Sequence, residues 1–471
     1  MSSFPGLNTA LSGLIAQRQA LEITGQNMAN VNTPGYTRQR ANLHAIEGSS
    51  TVGLYGAGAR SGGVQVGSYE RLGDLFLETR VRQEAAASNH LSSLATSWSR
   101  METGLQEPGK GGLSAQLQDF FTSWSDVGND ARDSRTARSV LLEKANALVS
   151  RMQNDYTNVR TQWDTLRQQA DTRIMTVNTT AEALANLNAQ IRSITASGGA
   201  PNDLIDQRAQ LATSLAELVG GEARAREDGT LDVMVGGNAL VRGNVTSKLA
   251  LAGTTQMSAV DSDPIHLVWA DSGRTVDATG GELSGILASL APADAGGPLA
   301  TLAGDYNRLA LDIASSVNSL HKNALTSGDP QQVGGAFFTD FPADYSGNAV
   351  LDLRVVVGNA DEVATAAPGK GPLDSSIGDA ISQLTSSNDL WARTVSEIGT
   401  RTGAAVDRAL ASEVTWTRAV QDLQAGTGVN SDEETMNLLM YQRGYEASAR
   451  LMTTIDEMLD VLINRTGVVG R

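Results

Sequence analysis

Cysteine is absent from this 471-residue chain. Its absence excludes disulfides, Cys-based zinc sites and thiol nucleophiles together. Histidine is nearly as scarce. His44, His90, His266 and His321 are the four, far apart and without an i, i+3 or i, i+4 partner of ligand type, so no metal site is expected. Aromatic residues make up only 4%, little for the core of a compact enzyme. Lys plus Arg number 36 against 52 Asp plus Glu, a net charge of −16, which argues against a nucleic-acid partner because phosphate binding needs a basic face. No apolar run approaches the ~20 residues of a membrane helix, so no membrane insertion is expected. Met1–Leu11 shows no basic, apolar and small-residue succession, and therefore no cleavable signal peptide. Gly-x-Ser-x-Gly and His-Glu-x-x-His are missing too. The expectation is neither an enzyme nor a cofactor carrier.

Long helical stretches are present. The chain exceeds one ordinary core, so two or three domains are expected. Asn129–Ser197 runs without one Gly or Pro. Along it Met152, Tyr156, Val159, Trp163, Leu166, Ala170, Ile174, Val177, Ala181 and Leu184 keep a helical stripe. At 1.5 Å per residue a helix of about 65 residues spans roughly 100 Å, so it needs companions along its length, and Leu390–Leu423 is the expected one. Between Gly220-Gly221 and about residue 282 the texture changes to short alternating runs, Leu231–Val235, Lys248–Leu251 and Ile265–Trp269, separated by Gly-rich turns. The resulting expectation is a mainly α fold with an inserted β domain at 220–282. A long-helix rod occupies 36–219 and 283–430, with a loop-rich segment near 328–372. Terminal helices lie at 1–35 and 431–471.

Both ends carry a heptad rhythm. Leu7, Leu11, Leu14, Arg18, Leu21, Gly25 and Met28 alternate steps of three and four, as do Leu438, Tyr441, Tyr445, Ser448, Met452, Ile455, Leu459 and Leu462. Such seams favour knobs-into-holes packing. The first forty residues hold Arg18, Arg38 and Arg40 against Glu22, whereas the last helix is rich in Asp and Glu, so the two seams are expected to pair with each other or between subunits. An isolated helix of this length is marginal in water, and both ends are expected to be mobile in the monomer, lacking partners nearby. Asp432-Glu433-Glu434 follows Asn430-Ser431 at a helix start, where carboxylates suit the helix dipole; a capping role is expected.

Two Gly-rich stretches are connectors. Gly104–Gly111 lacks the Ser or Thr that ends a phosphate loop and follows a helix. Gly56-Ala57-Gly58 with Gly62 misses the dinucleotide spacing.

Ala10-Leu11-Ser12-Gly13-Leu14 followed by Asn27-Met28-Ala29-Asn30-Val31-Asn32-Thr33-Pro34-Gly35-Tyr36 resembles the N-terminal signature of the bacterial flagellar axial proteins of rod, hook and hook–filament junction. Tyr441-Gln442, Tyr445–Arg450 and Asp456–Asp460 resemble the matching C-terminal signature. Interior segments are similar to the junction-forming, hook-associated members: Asp119–Trp124, Pro201–Arg208, Asp228-Gly229-Thr230, Gly236–Val241, Asn318 with His321, and Gly334–Phe338. Between about Val260 and Leu373 the chain is short for that family, which implies a missing outer domain. The resemblance implies terminal coiled-coil helices, a rod and a small β-rich outer domain. It implies a ring of identical subunits joining hook to filament, exported unfolded by the flagellar type III apparatus to the extracellular flagellum. The implied partners are the hook protein, a second junction protein and an export chaperone at the C-terminal helix. The alternatives are a hook or distal-rod protein, or a cytoplasmic hydrolase. The expected assembly residues are Leu7, Leu11, Leu14, Leu21, Met28, Leu438, Tyr441, Tyr445, Met452, Ile455, Leu459 and Leu462.

Overall fold

A computed structural model describes residues 4–46, 62–129 and 134–461. Leu462 and Gly56–Gly58 lie outside the described residues. The chain is mainly α with small antiparallel sheets. It begins with helix α1 (Phe4–Ala29) and a hairpin, β1 (Gln39–Ala45) and β2 (Val64–Arg71). Four helices follow: α2 (Leu75–Leu105), α3 (Leu113–Asn129), α4 (Ser134–Ala196) and α5 (Asn202–Val219). Strands β3 (Glu222–Ala225), β4 (Leu231–Val235), β5 (Asn238–Arg242) and β6 (Val245–Thr246) form one sheet in that order. Strands β7 (Leu249–Ala252) and β8 (His266–Trp269) form a second. Then come α6 (Gly281–Leu290), α7 (Pro298–His321), the single turn α8 (Ala349–Asp352), α9 (Ser376–Ser382), α10 (Ser386–Thr427) and α11 (Ser431–Asp460).

The 63-residue α4 is the spine. All ten residues of its expected stripe, from Met152 to Leu184, are buried. The companions differ from expectation. Helix α10 pairs antiparallel with α2, through Arg80–Asp422 at 3.1 Å, Thr415 Oγ1 donating to Glu84, and the Arg401 guanidinium over the Trp98 ring. The α4 stripe is covered instead by α3, α5, α6, α7 and the β strands, whose apolar residues join one continuous core. The physical reason is side-chain size. Helix α3 brings Leu117, Phe120, Phe121 and Trp124 into the core that includes the stripe, whereas the middle of α10 buries little beyond its line of contact with α2.

Two asparagines of α4 dock the strands. Asn178 accepts from the Leu249 N–H and donates to its carbonyl, both at 2.9 Å, completing the edge of β7. Asn188 does the same for Leu231 and also donates to Gly243 O. A side-chain amide carries the same donor and acceptor pair as a peptide, so each acts as one residue of an adjoining strand.

At the end of α7, Asn318 accepts from the Phe337 and Phe338 N–H groups and donates to Phe338 O. His321, fully buried beside Trp124 and Phe337, accepts from the Ala364 N–H at Nε2 and so donates from Nδ1 to Gly335 O, at 2.7 Å. Burial holds the imidazole below its ordinary pKa, against the opposing pull of the Gly335 carbonyl. The folded state therefore stays neutral while the unfolded chain, near pKa 6.5, takes up a proton. Stability should be fully present above about pH 6.5 and fall, by up to about 1.4 kcal/mol per pH unit, as pH drops toward the folded value. Thermal melts of wild type and His321→Gln should diverge in their pH slope over that window. Parallel slopes would show that His321 does not titrate as argued.

Candidate assembly interface

The terminal helices pack against each other. Gly6 faces Ile455, Gly13 faces Ser448, Gly444 faces Gln17, and Asn27 donates to Glu434 Oε2 at 3.2 Å. Equal steps along both helices define one antiparallel register. Of the two pairings expected from their opposite charge, with each other or between subunits, the structure shows the first: each terminal helix has the other, distant in sequence, as its partner within the chain.

The α1 seam is also displaced from the expected one. The residues most buried on α1 are Ala10, Ala16, Ala20, Thr24 and Asn27, a stripe of small side chains that includes Gly6 and Gly13. Leu7, Leu14 and Leu21 are half-buried, and Leu11 and Met28 are exposed, Leu11 by 46%. Small residues let two helix axes approach closely. A Cβ on Gly13 would stand 3.0 Å from Ser448 Oγ, and one on Gly444 would stand 2.9 Å from the Gln17 side chain. On α11 the expected seam lies closer to the observed one. Ile455 is buried, Leu438, Tyr441, Met452 and Leu459 are half-buried, and Tyr445 is exposed. The pair leaves a second apolar surface open, with Ile15 and Val31 on and after α1 and Met436, Leu439, Met440, Leu451, Met458 and Val461 on and after α11. These exposed side chains lie on the sides of α1 and α11 turned away from their mutual seam, and apolar patches of this kind mark protein contacts.

The Asn27–Tyr36 signature builds a polar joint at one end of this pair. Gly35 has φ +76°, and a Cβ there would collide with Gln210, so the turn after Pro34 requires glycine. Asn27 is saturated: it accepts from the Gln39 N–H at 3.0 Å and the Tyr36 hydroxyl at 2.8 Å, and donates to Gln39 O and Glu434. Arg38 donates to Glu434 and Glu433, each at 2.7 Å, and its N–H donates to Thr427 O. Asp432, Glu433 and Glu434 occupy the first turn of α11, as expected of carboxylates at a helix start. Asn430 caps α11 by accepting from Asp432 and Glu433 N–H, which leaves Glu433 and the buried Glu434 as partners for Arg38. On the opposite side Thr37 N–H donates to Asp206, Gln39 donates to Asp203, and Asn202 donates to Gln39. Burial, with the nearby carboxylates Asp203, Asp206 and Glu434, pushes the Tyr36 phenol up to about 12, so it stays a hydrogen-bond donor. One turn thus ties α1, α5, α10 and α11 together.

Of the histidines, His321 is a buried strut, His90 bonds to Ser284 Oγ, and His44 and His266 lie on the two hairpins. Among the described residues no cluster of His, Asp and Glu is placed to hold a metal, and no helix is long and apolar enough to cross a membrane.

The chain's relatives follow the same division. Residues 98–338 match the flagellar hook-associated protein FlgK helical domain. Residues 7–37 match the flagella basal body rod protein family, and 421–465 the flagellar basal body rod FlgEFG protein C-terminal region. Flagellar hook-associated protein 1 of Bacillus subtilis is 31% identical over 527 aligned positions covering all of both chains. That of Salmonella typhimurium is 27% identical, covering 97% of this chain and 99% of the relative. The structure of the flagellar hook junction protein FlgK from Burkholderia pseudomallei superposes with a TM-score of 0.63 at 16% identity, over 74% of this chain and 99% of that one, so the fold is shared. These relatives are structural proteins of the flagellum, which supports a non-enzymatic role. Kinship along the whole length, with both terminal signatures and the helical interior accounted for, places this flagellar structural protein in the hook-associated protein 1 (FlgK) family.

Proposed function

We propose that the chain forms the junction ring that connects hook to filament. It leaves the cell through the flagellar type III apparatus, without a cleaved signal, and works outside it. The observation that carries this reading is the terminal helix pair, which closes on itself through small residues yet keeps a second apolar face open. A subunit built only to fold would bury that face; a subunit of a ring presents it to its neighbours.

In this reading the expected assembly residues divide by role. Leu11, Met28 and Tyr445 contact neighbouring subunits, while Ile455 and the half-buried Leu7, Leu14, Leu21, Leu438, Tyr441, Met452 and Leu459 knit the pair and its rim. Leu462 extends the series. Residues 1–35 and 431–471 form the assembly module, the long helices of 36–219 and 283–430 the rod, and 220–282 the outward part. The hook protein lies on one side of the ring and a second junction protein on the other, and an export chaperone covers α11 before assembly. The test is a deletion strain. It should make hooks without filaments and release flagellin into the medium, and the restored gene should reverse both. Filaments of normal length on the deletion strain would sink the reading.

A further inference from the structure

Where α2, α5, α6 and β3 meet, the protein gathers more positive than negative charge at low exposure. Arg82 and Arg208 are buried there and Arg71 is 14% exposed, the Arg82 side chain being 6% exposed, against two buried carboxylates, Glu78 and Asp206. Arg71 takes the short contacts to both, at 2.8 and 2.6 Å. Arg208 turns to neutral acceptors, Asn188 Oδ1 and Gly229 O. Arg82 is left with the remainder: Glu78 Oε2 at 3.5 Å, Thr79 Oγ1 at 3.4 Å, and an Nε with no partner. Burial lowers the pKa of both Arg82 and Arg208, the latter to about 10, and Arg71 pushes both in the same direction.

Arg82 lines a cavity of about 390 Å³. The other walls carry further donors, the Thr279 hydroxyl, the Gln83 amide and Arg224, while the Thr79 hydroxyl is spent on Leu75 O, at 2.7 Å. The lining carboxylate, Glu222, is engaged with Arg224 at the exposed rim, at 3.3 Å. Gly280 also lines the cavity and opens α6, whose first turn no side chain caps, so the positive end of that helix dipole is there. Gly220 and Gly280 keep the wall thin, for a Cβ on Gly220 would stand 3.0 Å from the Gly280 backbone.

We propose that this cavity is an oxyanion site, in which a phosphate, sulfate or carboxylate group is held by Arg82 and the start of α6. A planar guanidinium matches such a group through paired hydrogen bonds, and the anion supplies the counter-charge that the buried cluster lacks. The group comes either from a free inorganic anion or from an acidic side chain of a second copy of this chain.

Calorimetric titration of the full-length monomer with sodium phosphate, at ionic strength held constant with chloride, separates the cases. Saturable one-site binding that weakens at least tenfold in Arg82→Met, and partly in Arg82→Lys, identifies a free anion. If phosphate does not bind but Arg82→Met weakens self-association of the full chain at least tenfold, by sedimentation, the carboxylate of a neighbouring copy is the ligand. Should Arg82→Met fail to fold, the Gln83→Leu, Thr279→Val double variant removes two wall donors and is read in the same two assays. Binding or association unchanged by these substitutions, or absence of both effects, overturns the proposal.

Discussion

Glu434→Ala should cost about 3–5 kcal/mol, the range for breaking a buried ion pair from one side, and unfasten the terminal helices. The carboxylate is 2% exposed. Removing it takes from the Arg38 guanidinium its buried partner, leaving the half-exposed Glu433, and takes from Asn27 its contact across the helix pair. Arg38 is one-fifth exposed, so water recovers part of the loss, and the low end of the range is expected. Glu434→Gln retains an acceptor for Asn27 without the charge and should fall between. Hydrogen exchange in α1 and α11 should accelerate in Glu434→Ala while α4 stays protected. Unchanged protection in the terminal helices would show that the joint does not hold the pair. The register argument points the same way, since a single buried polar contact fixes which residues of two helices face each other, and the small-residue stripe alone carries little information about register.

Gly13→Leu should force the pair apart. The substituted side chain would begin 3.0 Å from Ser448 Oγ and have nowhere to go in a closely packed seam. Overpacking of this kind costs about 1–3 kcal/mol, but its geometric consequence is larger: the axes must separate or rotate, and the exposed apolar sides of α1 and α11 lose their relative placement. In cells, Gly13→Leu should therefore abolish filaments as fully as deletion of the chain, whereas Gly13→Ala, with a hydroxyl rotation at Ser448, should retain them. Normal motility in Gly13→Leu would mean that close approach of the helices is not needed for assembly.

The sequence pattern located the elements far better than the contacts between them. The α4 stripe and the alternating runs at Leu231–Val235 and Ile265–Trp269 follow from periodicity, because burial on one face leaves that signal directly. On α1, apolar area and close packing select different residues. Hydrophobicity selects Leu7, Leu11, Leu14 and Leu21, but the tightest helix contact is made by Gly6, Ala10, Gly13 and Ala20, whose contribution is closeness and not apolar area. A heptad search weighted for small residues would have found them, since they keep the same three–four rhythm. The companion of α4 was misassigned because a stripe states that a face is covered, not by what. Asn178 and Asn188 gave no signal at all, being polar residues in a helix whose partners lie some 40 to 70 residues away. Of the polar joint, the Asn-Thr-Pro-Gly-Tyr turn was visible, while its partners on α5 and Glu434 were not.

The Asn27–Glu434 contact joins residues 407 positions apart. Closing a flexible loop of that length carries roughly 5 kcal/mol of chain entropy by the logarithmic rule, more than one hydrogen bond returns. The antiparallel α2–α10 pair removes most of that barrier. Arg38 N–H is already bonded to Thr427 O at the foot of that pair, and only three residues separate α10 from α11. Once the middle has folded, the two ends meet as if on a short tether, at a high effective concentration. Chain entropy therefore favours pairing of the ends after the interior has folded over pairing before it.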